Sequence, residues 1–176
     1  MNKKLNHMKK ILAILIVVTL SGCKSMMEQQ TVSKAGINAT LDAWHKAAAE
    51  ANFSDYFSLM ADDAVFIGTD ATENWNKAAF QLYAKPHFDK GKAWNFTVLE
   101  RHIYFDETGK TAWFDELLNT QMKICRGSGV LVKIGNKWKI KHYVLSMTIP
   151  NENSNEVIKI KASLEDAMIK TLKSKQ

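Results

Sequence analysis

The sequence predicts an α+β domain in which a curved antiparallel sheet packs on N-terminal helices, with one more helix at the C-terminus. Residues 37–90 show helical spacing of their apolar side chains, broken by one short strand. Residues 95–149 instead alternate between polar and apolar side chains and are rich in β-branched and aromatic types. Helices followed by a run of strands favour packing of the helices on one face of the sheet.

The helical half begins at residues 37–52, where apolar side chains recur at spacings of three and four and give one apolar face. The elements predicted after it are a short helix over 53–60, a break at Asp62-Asp63, a strand over 64–68, a polar loop over 69–74, and two short helices over 77–84 and 86–90.

Four strands are predicted in the second half, over residues 95–106, 111–121, 126–134 and 137–149. The connections are short, and the dipeptide Gly135-Asn136 suits a tight hairpin turn. The strands are therefore expected to be consecutive antiparallel neighbours. After a polar break at 151–155, residues 156–173 are predicted to form an amphipathic helix with an apolar stripe of Val157, Ile160, Leu164, Met168 and Leu172.

The N-terminus has the pattern of a bacterial secretory signal. Four lysines precede the run Ile11–Leu20, which is apolar except for one threonine and is too short for a membrane span of about 20 residues. The next residues complete the tetrapeptide Leu20-Ser21-Gly22-Cys23, which resembles the lipobox of bacterial lipoproteins. That resemblance implies cleavage before Cys23 and lipid on its thiol. An ordinary signal that happens to carry a cysteine is the alternative, and Met8 is an alternative start.

The chain is thus divided into a signal peptide at 1–22, a lipidated cysteine with a flexible tether at 23–35, a domain at 36–150 and a helical region at 151–176. Lipid on Cys23 would hold the protein at the bacterial cell envelope, facing the periplasm from the outer membrane in a Gram-negative organism.

The net charge of +6 belongs mostly to the signal, because four lysines and no acid leave with it. Of 24 basic residues 20 remain against 18 acidic ones, a balance that argues against a nucleic-acid partner. With Cys23 assigned to lipid, Cys125 has no disulfide partner, and its apolar surroundings predict a buried residue. No metal-ligand spacing occurs, so no cofactor is predicted.

Three blocks carry a likeness to a known family: INATLDAWHKAAAEANFSDYFSLMADDAVFIG, YFDETGKTAWFDELL and GSGVLVKIGNKWKIKHYVLS. Together they resemble the SnoaL-like branch of the nuclear transport factor 2-like superfamily over residues 37–150. The resemblance implies a cone, in which a strongly curved sheet wraps around helices and encloses an apolar pocket, and a homodimer formed through the outer sheet face. It implies no single activity, because this fold serves isomerases, dehydratases, cyclases and proteins with no known reaction.

Alternation along the strands predicts which side chains face the pocket. In the last strand the lysines belong in water, which places the other parity inward, and in the strand before it Lys133 serves as the outward marker. In the central strand both faces carry apolar residues, and the resemblance favours a polar pocket residue there. The residues predicted to face the pocket are Trp113, Asp115, Arg126, Ser128, Trp138, His142 and Ser146, with Trp44, Trp75, Tyr83 and Phe88 as apolar walls from the helical half.

Three functions follow from this placement. The first is binding of a small apolar ligand without an assigned reaction, since no complete catalytic set is present. The second is a cofactor-independent cyclase, isomerase or dehydratase, in which Asp115 orients His142 for proton transfer and Arg126 holds a substrate oxygen. The same side chains could instead form a structural ion-pair network. The third is a dimeric interaction module that uses the outer sheet face or the last helix.

Overall fold

The computed structural model describes Thr31 and residues 33–175 of the chain. The predicted signal peptide, Cys23 and residues 24–30 of the tether lie outside the described residues. No helix in the described part of the chain is long and apolar enough to cross a membrane.

Helix α1 covers residues 33–49 and begins earlier than predicted, since the helix was expected to start at residue 37 and the flexible tether to extend to residue 35. Extending a helix adds one hydrogen bond per residue, whereas starting it is the unfavourable step, so polar residues join its first turn at little cost. The predicted apolar face is confirmed, since Ile37, Leu41 and Trp44 are almost completely buried.

The remaining elements follow the predicted order, except that a three-residue strand at Asn74–Asn76 was not predicted. The other helices are α2 (Phe53–Ser58), α3 (Lys77–Asp89) and α4 (Ser154–Lys173), the last preceded by a 3-10 turn at Asn151–Asn153. The strands are β1 (Met60–Ile67), β2 (Asn74–Asn76), β3 (Thr97–Phe105), β4 (Thr111–Thr120), β5 (Lys123–Ile134) and β6 (Lys137–Met147).

In the described chain the six strands form one sheet in the order β2-β1-β6-β5-β4-β3. Strands β3 to β6 are consecutive antiparallel neighbours, as the short turns predicted. Strand β1 joins β6 in parallel, with Phe66 opposite Tyr143, and β2 pairs with β1 in the antiparallel sense. The predicted fold class, a curved sheet with N-terminal helices and a C-terminal helix, is confirmed.

Two local predictions are wrong. Asp62 and Asp63 were expected to end the second helix, ahead of a strand that begins at residue 64, but both lie inside β1. Their side chains are exposed and pair with Lys77 and Lys141, so the strand holds them without burying a charge. Pro86 was expected to separate two helices, yet α3 continues through it to Asp89. A proline removes one helical hydrogen bond and crowds the preceding turn, and here it stands close to the C-terminal end of the helix.

The core between the helices and the sheet is dominated by aromatic rings. Trp44 of α1 stacks on Tyr56 of α2 and meets Tyr143 of β6 edge-on, each with 4.8 Å between ring centroids. Phe66 of β1 stacks on Phe80 of α3 at 4.0 Å. Such pairs add to the gain from burying apolar area, and here they fix the first three helices against the sheet.

Helix α4 stands apart from this core. None of its residues is buried, and Ile160 and Leu164 are each 78% exposed. The predicted amphipathic helix therefore forms, while much of its apolar stripe stays open to solvent.

Candidate functional site

The pocket side of β4 and β5 is the opposite of the one predicted. The buried residues of β4 are the even-numbered ones from Ala112 to Thr120, and those of β5 are the odd-numbered ones from Cys125 to Leu131. The expectation that the other parity faces inward is wrong. It applied to four residues that in fact lie on the outer sheet face: Trp113, Asp115, Arg126 and Ser128.

The prediction for β5 failed because Lys133 was a misleading marker. Lys133 shares the inner side with Trp138, its ammonium 6.0 Å from the indole centroid, and it reaches water because it stands near the end of the strand. Nearer the start of β5, its inner face carries Gly127 and Gly129, which have no side chain to show the alternation of polar and apolar residues. A Cβ at Gly127 would come within 2.2 Å of the Tyr143 hydroxyl, so this face of β5 is left open for a neighbouring ring.

A bulge in β6 places His142 and Ser146 on the outer face as well. Alternation is followed as far as Ile140, which is buried. There β6 carries one extra residue, Lys141, relative to β5. A bulge of one residue reverses the parity of everything beyond it, so Tyr143 is buried in the place expected for His142.

Asp115 and His142 are not brought together. One lies on β4 and the other on β6, so β5 separates them by about 10 Å, two strand spacings. Asp115 instead lies 3.3 Å from Nδ1 of His102 and 4.0 Å from Nη1 of Arg126. These three side chains, the outer Asp115 cluster, are between 32% and 55% exposed, as in an ordinary surface ion pair.

A second cluster of ionisable side chains, centred on Glu116, lies on the inner face of the sheet. The sequence did not predict it. Glu116 is 1% exposed. Its Oε1 lies 2.8 Å from Nε2 of His45 and accepts a hydrogen bond from the Tyr143 hydroxyl at 3.2 Å. Its Oε2 accepts a hydrogen bond from Nε of Arg101 at 2.8 Å, and Nη1 of Arg101 also donates to Asp42 at 2.8 Å. Glu116 and its three direct partners form the inner Glu116 cluster.

The charge of Glu116 is balanced within the inner Glu116 cluster, although Nη2 of Arg101 is buried without a hydrogen-bond partner among the described residues. Burial is the largest influence on the pKa of Glu116 and raises it. The hydrogen bond and charge of His45, together with Arg101, outweigh burial and hold the pKa of Glu116 below its ordinary value of 4.5. Burial, and then the charge of Glu116, raises the pKa of Tyr143 well above its ordinary value. The carboxylate is therefore kept ionised, which suits a structural anion better than a proton donor.

One sequence signal could have located this cluster. The even-numbered positions of β4 read Ala112, Phe114, Glu116 and Leu118, a run of apolar residues interrupted by one acid. A charge on an otherwise apolar face must find a partner, because an unpaired buried charge is too costly. His45 stands next to Trp44 on α1, at the edge of the apolar face of that helix.

A cavity of about 240 Å³ opens between β1, β2, α3 and the segment that leads into β3. This volume lies just below the range typical of drug-sized ligands, about 300–1,000 Å³, so it suits a molecule of one or two rings. Six aromatic side chains form part of the wall: Phe66, Trp75, Phe80, Tyr83, Trp94 and Phe96. Of the aromatic walls predicted from the sequence, Trp75 and Tyr83 line the cavity and stack at 4.4 Å, whereas Trp44 and Phe88 are buried in the core.

The polar lining consists of Thr69, Glu73, His87 and Gln121. Sequence reasoning missed Glu73 and His87, although Phe80, Tyr83 and His87 are spaced at three and four along one face of α3. The inner Glu116 cluster does not line this cavity. Within the described residues, no three His, Cys, Asp or Glu side chains are grouped so that they could hold a metal ion. Cys125 is fully buried, as predicted.

The family model of the SnoaL-like domain matches residues 37–150, more than half of the chain. The chain belongs to the SnoaL-like family. The resemblance read from the three sequence blocks is thereby confirmed, and the matched range contains the sheet, the aromatic cavity and the inner Glu116 cluster. No curated protein matches this SnoaL-like sequence.

Solved structures similar to this SnoaL-like protein share its fold at low sequence identity. An NTF2-like protein of unknown function from Pseudomonas putida has a TM-score of 0.59 and 15% identity, covering 70% of this chain and 92% of its own. A protein from Novosphingobium aromaticivorans, provisionally named a scytalone dehydratase, has a TM-score of 0.59 and 12% identity, covering 70% and 89%. A cystatin-like protein of unknown function from Nostoc punctiforme has a TM-score of 0.54 and 12% identity, covering 65% and 90%. Because one fold serves many chemistries, these likenesses concern architecture alone.

Proposed function

We propose that this SnoaL-like protein binds a small apolar, ring-containing molecule in the aromatic cavity, with no reaction assigned. The observation that carries the proposal is the cavity itself, whose wall includes six aromatic side chains, of which Trp75, Tyr83, Trp94 and Phe96 are at least partly exposed. Covering such a wall with an apolar ring removes apolar surface from water and adds ring stacking, both of which are favourable.

The acid-base pair predicted from the sequence gives no support to proton transfer in the cavity. Asp115 and His142, the predicted acid-base pair, lie on the outer sheet face with β5 between them. Glu116 and His45 are in contact, but both are buried and neither lines the cavity. A cyclase, isomerase or dehydratase would need an acid or base that reaches its substrate. That alternative would therefore rest on residues other than the predicted pair.

Binding is tested by isothermal titration calorimetry with indole, a neutral probe of suitable size. We expect saturable binding, weakened roughly tenfold or more by Trp75→Ala, which removes one stacking surface. Trp113→Ala is the matched control, since Trp113 is an exposed tryptophan on the outer sheet face. No binding by the unaltered protein, or equal losses in the two variants, would overturn the proposal.

We also propose that the protein is a lipoprotein of the bacterial envelope, anchored through Cys23. The support is the basic, apolar and lipobox pattern of the first 23 residues, together with the near-neutral balance of the rest of the chain. Cys23→Ser is expected to prevent lipid attachment and release the protein from the membrane fraction. The proposal is wrong if the variant stays in that fraction, or if the natural chain takes up no radiolabelled palmitate.

We further propose that two copies associate through the outer sheet face. Tyr104 and Trp113 stack there at 6.0 Å and are each 47% exposed. Asp115 and Arg126 lie on the same face, so it carries both charge signs and can complement itself across a two-fold axis.

Sedimentation velocity tests this association. A dimer is expected, and Trp113→Asp should convert it to a monomer by burying a charge at the interface. Ile160→Asp is the matched control on α4. A monomeric parent protein, or dissociation by the α4 variant alone, would argue against the sheet face.

A further inference from the structure

The fixed charge in the wall of the aromatic cavity is of one sign, negative. Glu73 is the acidic residue in the wall, and the lining contains neither lysine nor arginine among the described residues. The other titratable side chains there are Tyr83 and His87. At a pH where histidine is neutral, the wall therefore carries a net negative charge.

The Glu73 carboxylate is held at the wall and is only partly satisfied. Its Oε2 accepts a hydrogen bond from the backbone N–H of Asp70 at 3.2 Å. The same oxygen lies so close to Gly68 that a Cβ there would come within 2.1 Å of it. In the described chain Oε1 accepts no hydrogen bond, and Glu73 takes part in no ion pair. One charged oxygen is therefore left for an outside partner.

Aromatic rings stand beside this carboxylate. Trp75 follows it by two residues on β2 and stacks on Tyr83 of α3. Burial, and then the charge of Glu73, raises the pKa of Tyr83, which places the carboxylate within electrostatic range of the phenol. A cation beside these rings would be attracted both by the carboxylate and by the negative faces of the rings.

We propose that the ligand of this cavity carries a positively charged amine, with its apolar ring against the aromatic wall and its ammonium group at Oε1 of Glu73. The inference rests on the proposed small-molecule binding and adds the charge of the ligand to it. An anionic ligand of the same shape would meet the carboxylate without a basic residue in the lining to offset it.

Three probes that share one ring separate charge from shape: tryptamine is a cation, tryptophol is neutral and indole-3-propionate is an anion. Calorimetry is done at pH 8, where histidine is uncharged and a primary amine is still protonated. We expect tryptamine to bind roughly tenfold more tightly than tryptophol, and indole-3-propionate to bind most weakly.

Two variants test whether the Glu73 carboxylate causes this order of affinities. Glu73→Gln should abolish the preference for tryptamine over tryptophol, so that the two probes bind with similar affinity. Gly68→Ala keeps the charge but displaces the carboxylate, and should reduce the preference for the amine. Glu107→Gln is the matched control, because Glu107 is exposed in the turn between β3 and β4, at the other end of β4 from Gln121.

The possible outcomes separate the two proposals. If all three probes bind equally, if the acid binds best, or if Glu73→Gln keeps the preference for the amine, the amine inference is overturned while ligand binding stands. If neither these probes nor indole binds, the proposed function falls and the inference falls with it.

Discussion

Adjacent residues of β4 hold two clusters of similar composition in opposite surroundings. Asp115 on the outer sheet face and Glu116 on the inner face each lie beside a histidine and an arginine. The inner contacts are 2.8 Å long and shielded from water, whereas the outer ones are 3.3 Å and 4.0 Å long and exposed. The same three kinds of side chain therefore stabilise the packing of the fold on the inner face and form an exposed surface ion pair on the outer one.

The two clusters differ in how much stability is lost when one of their side chains is removed. A buried charge that loses its partner keeps its full desolvation cost, while an exposed charge is solvated again by water.

The largest effect is expected from Glu116→Ala. It leaves the guanidinium of Arg101 and the ring of His45 without their buried acceptor, at a cost of about 3–5 kcal/mol in the free energy of unfolding. Urea denaturation measures this cost. Asp115→Ala is the matched control on the neighbouring residue, and equal losses in the two variants would remove the distinction between the faces.

Lowering the pH should reduce the contribution that the inner Glu116 cluster makes to the free energy of unfolding. Because the pKa of Glu116 lies below its ordinary value of 4.5, its ionised form contributes stability that is fully present above that pH. This contribution is lost as pH falls from about 4.5 through the lower pKa of the folded state. Unfolding is measured in urea between pH 7 and pH 3.

Exposed aspartates complicate the acid profile, since local hydrogen bonds lower the pKa of Asp70 and Asp106 as well. Glu116→Gln isolates the inner contribution because it keeps the shape and removes the titration. A parallel pH profile in the parent protein and in this variant would show that Glu116 does not contribute.

A smaller effect is expected from Tyr143→Phe, which removes the hydroxyl that donates to Glu116 at 3.2 Å. The ring stays in the core and Glu116 keeps its two other partners, so the loss should be about 1–2 kcal/mol in thermal or urea unfolding. Tyr104→Phe on the outer face is the control and should change stability by only a few tenths of a kcal/mol. A cost for Tyr104→Phe as large as for Tyr143→Phe would contradict the assignment.

The smallest effect is expected from Asp115→Asn. In a single copy its pairs with His102 and Arg126 are exposed and screened by salt, so at protein concentrations too low for association the variant should lose about 0.5 kcal/mol or less at low ionic strength. The difference from the parent protein should shrink further in 1 M salt. A larger loss that is insensitive to salt would mean that this face is covered in solution, as the proposed dimer would require.

The fold could be predicted because its signals are local. Helical spacing, strand alternation and the Gly135-Asn136 turn each depend on residues close in sequence, and the four long strands were placed to within a few residues. Which parity faces inward could not be predicted in the same way. In β6 it depends on one extra residue opposite β5, and in β5 on two glycines whose inner face is filled by a ring from another strand.

The order of the elements other than β2, the amphipathic character of α1 and α4, and the family could all be recognised from the amino-acid pattern. Those properties follow from the preferences of residues and their near neighbours, which a linear pattern records. The tertiary structure alone decided that Glu116, His45 and Arg101 meet inside the sheet, while Asp115 and His142 stay apart on its outer face. It also brought Glu73 and the aromatic rings to one cavity, because such meetings depend on strand register and on a bulge.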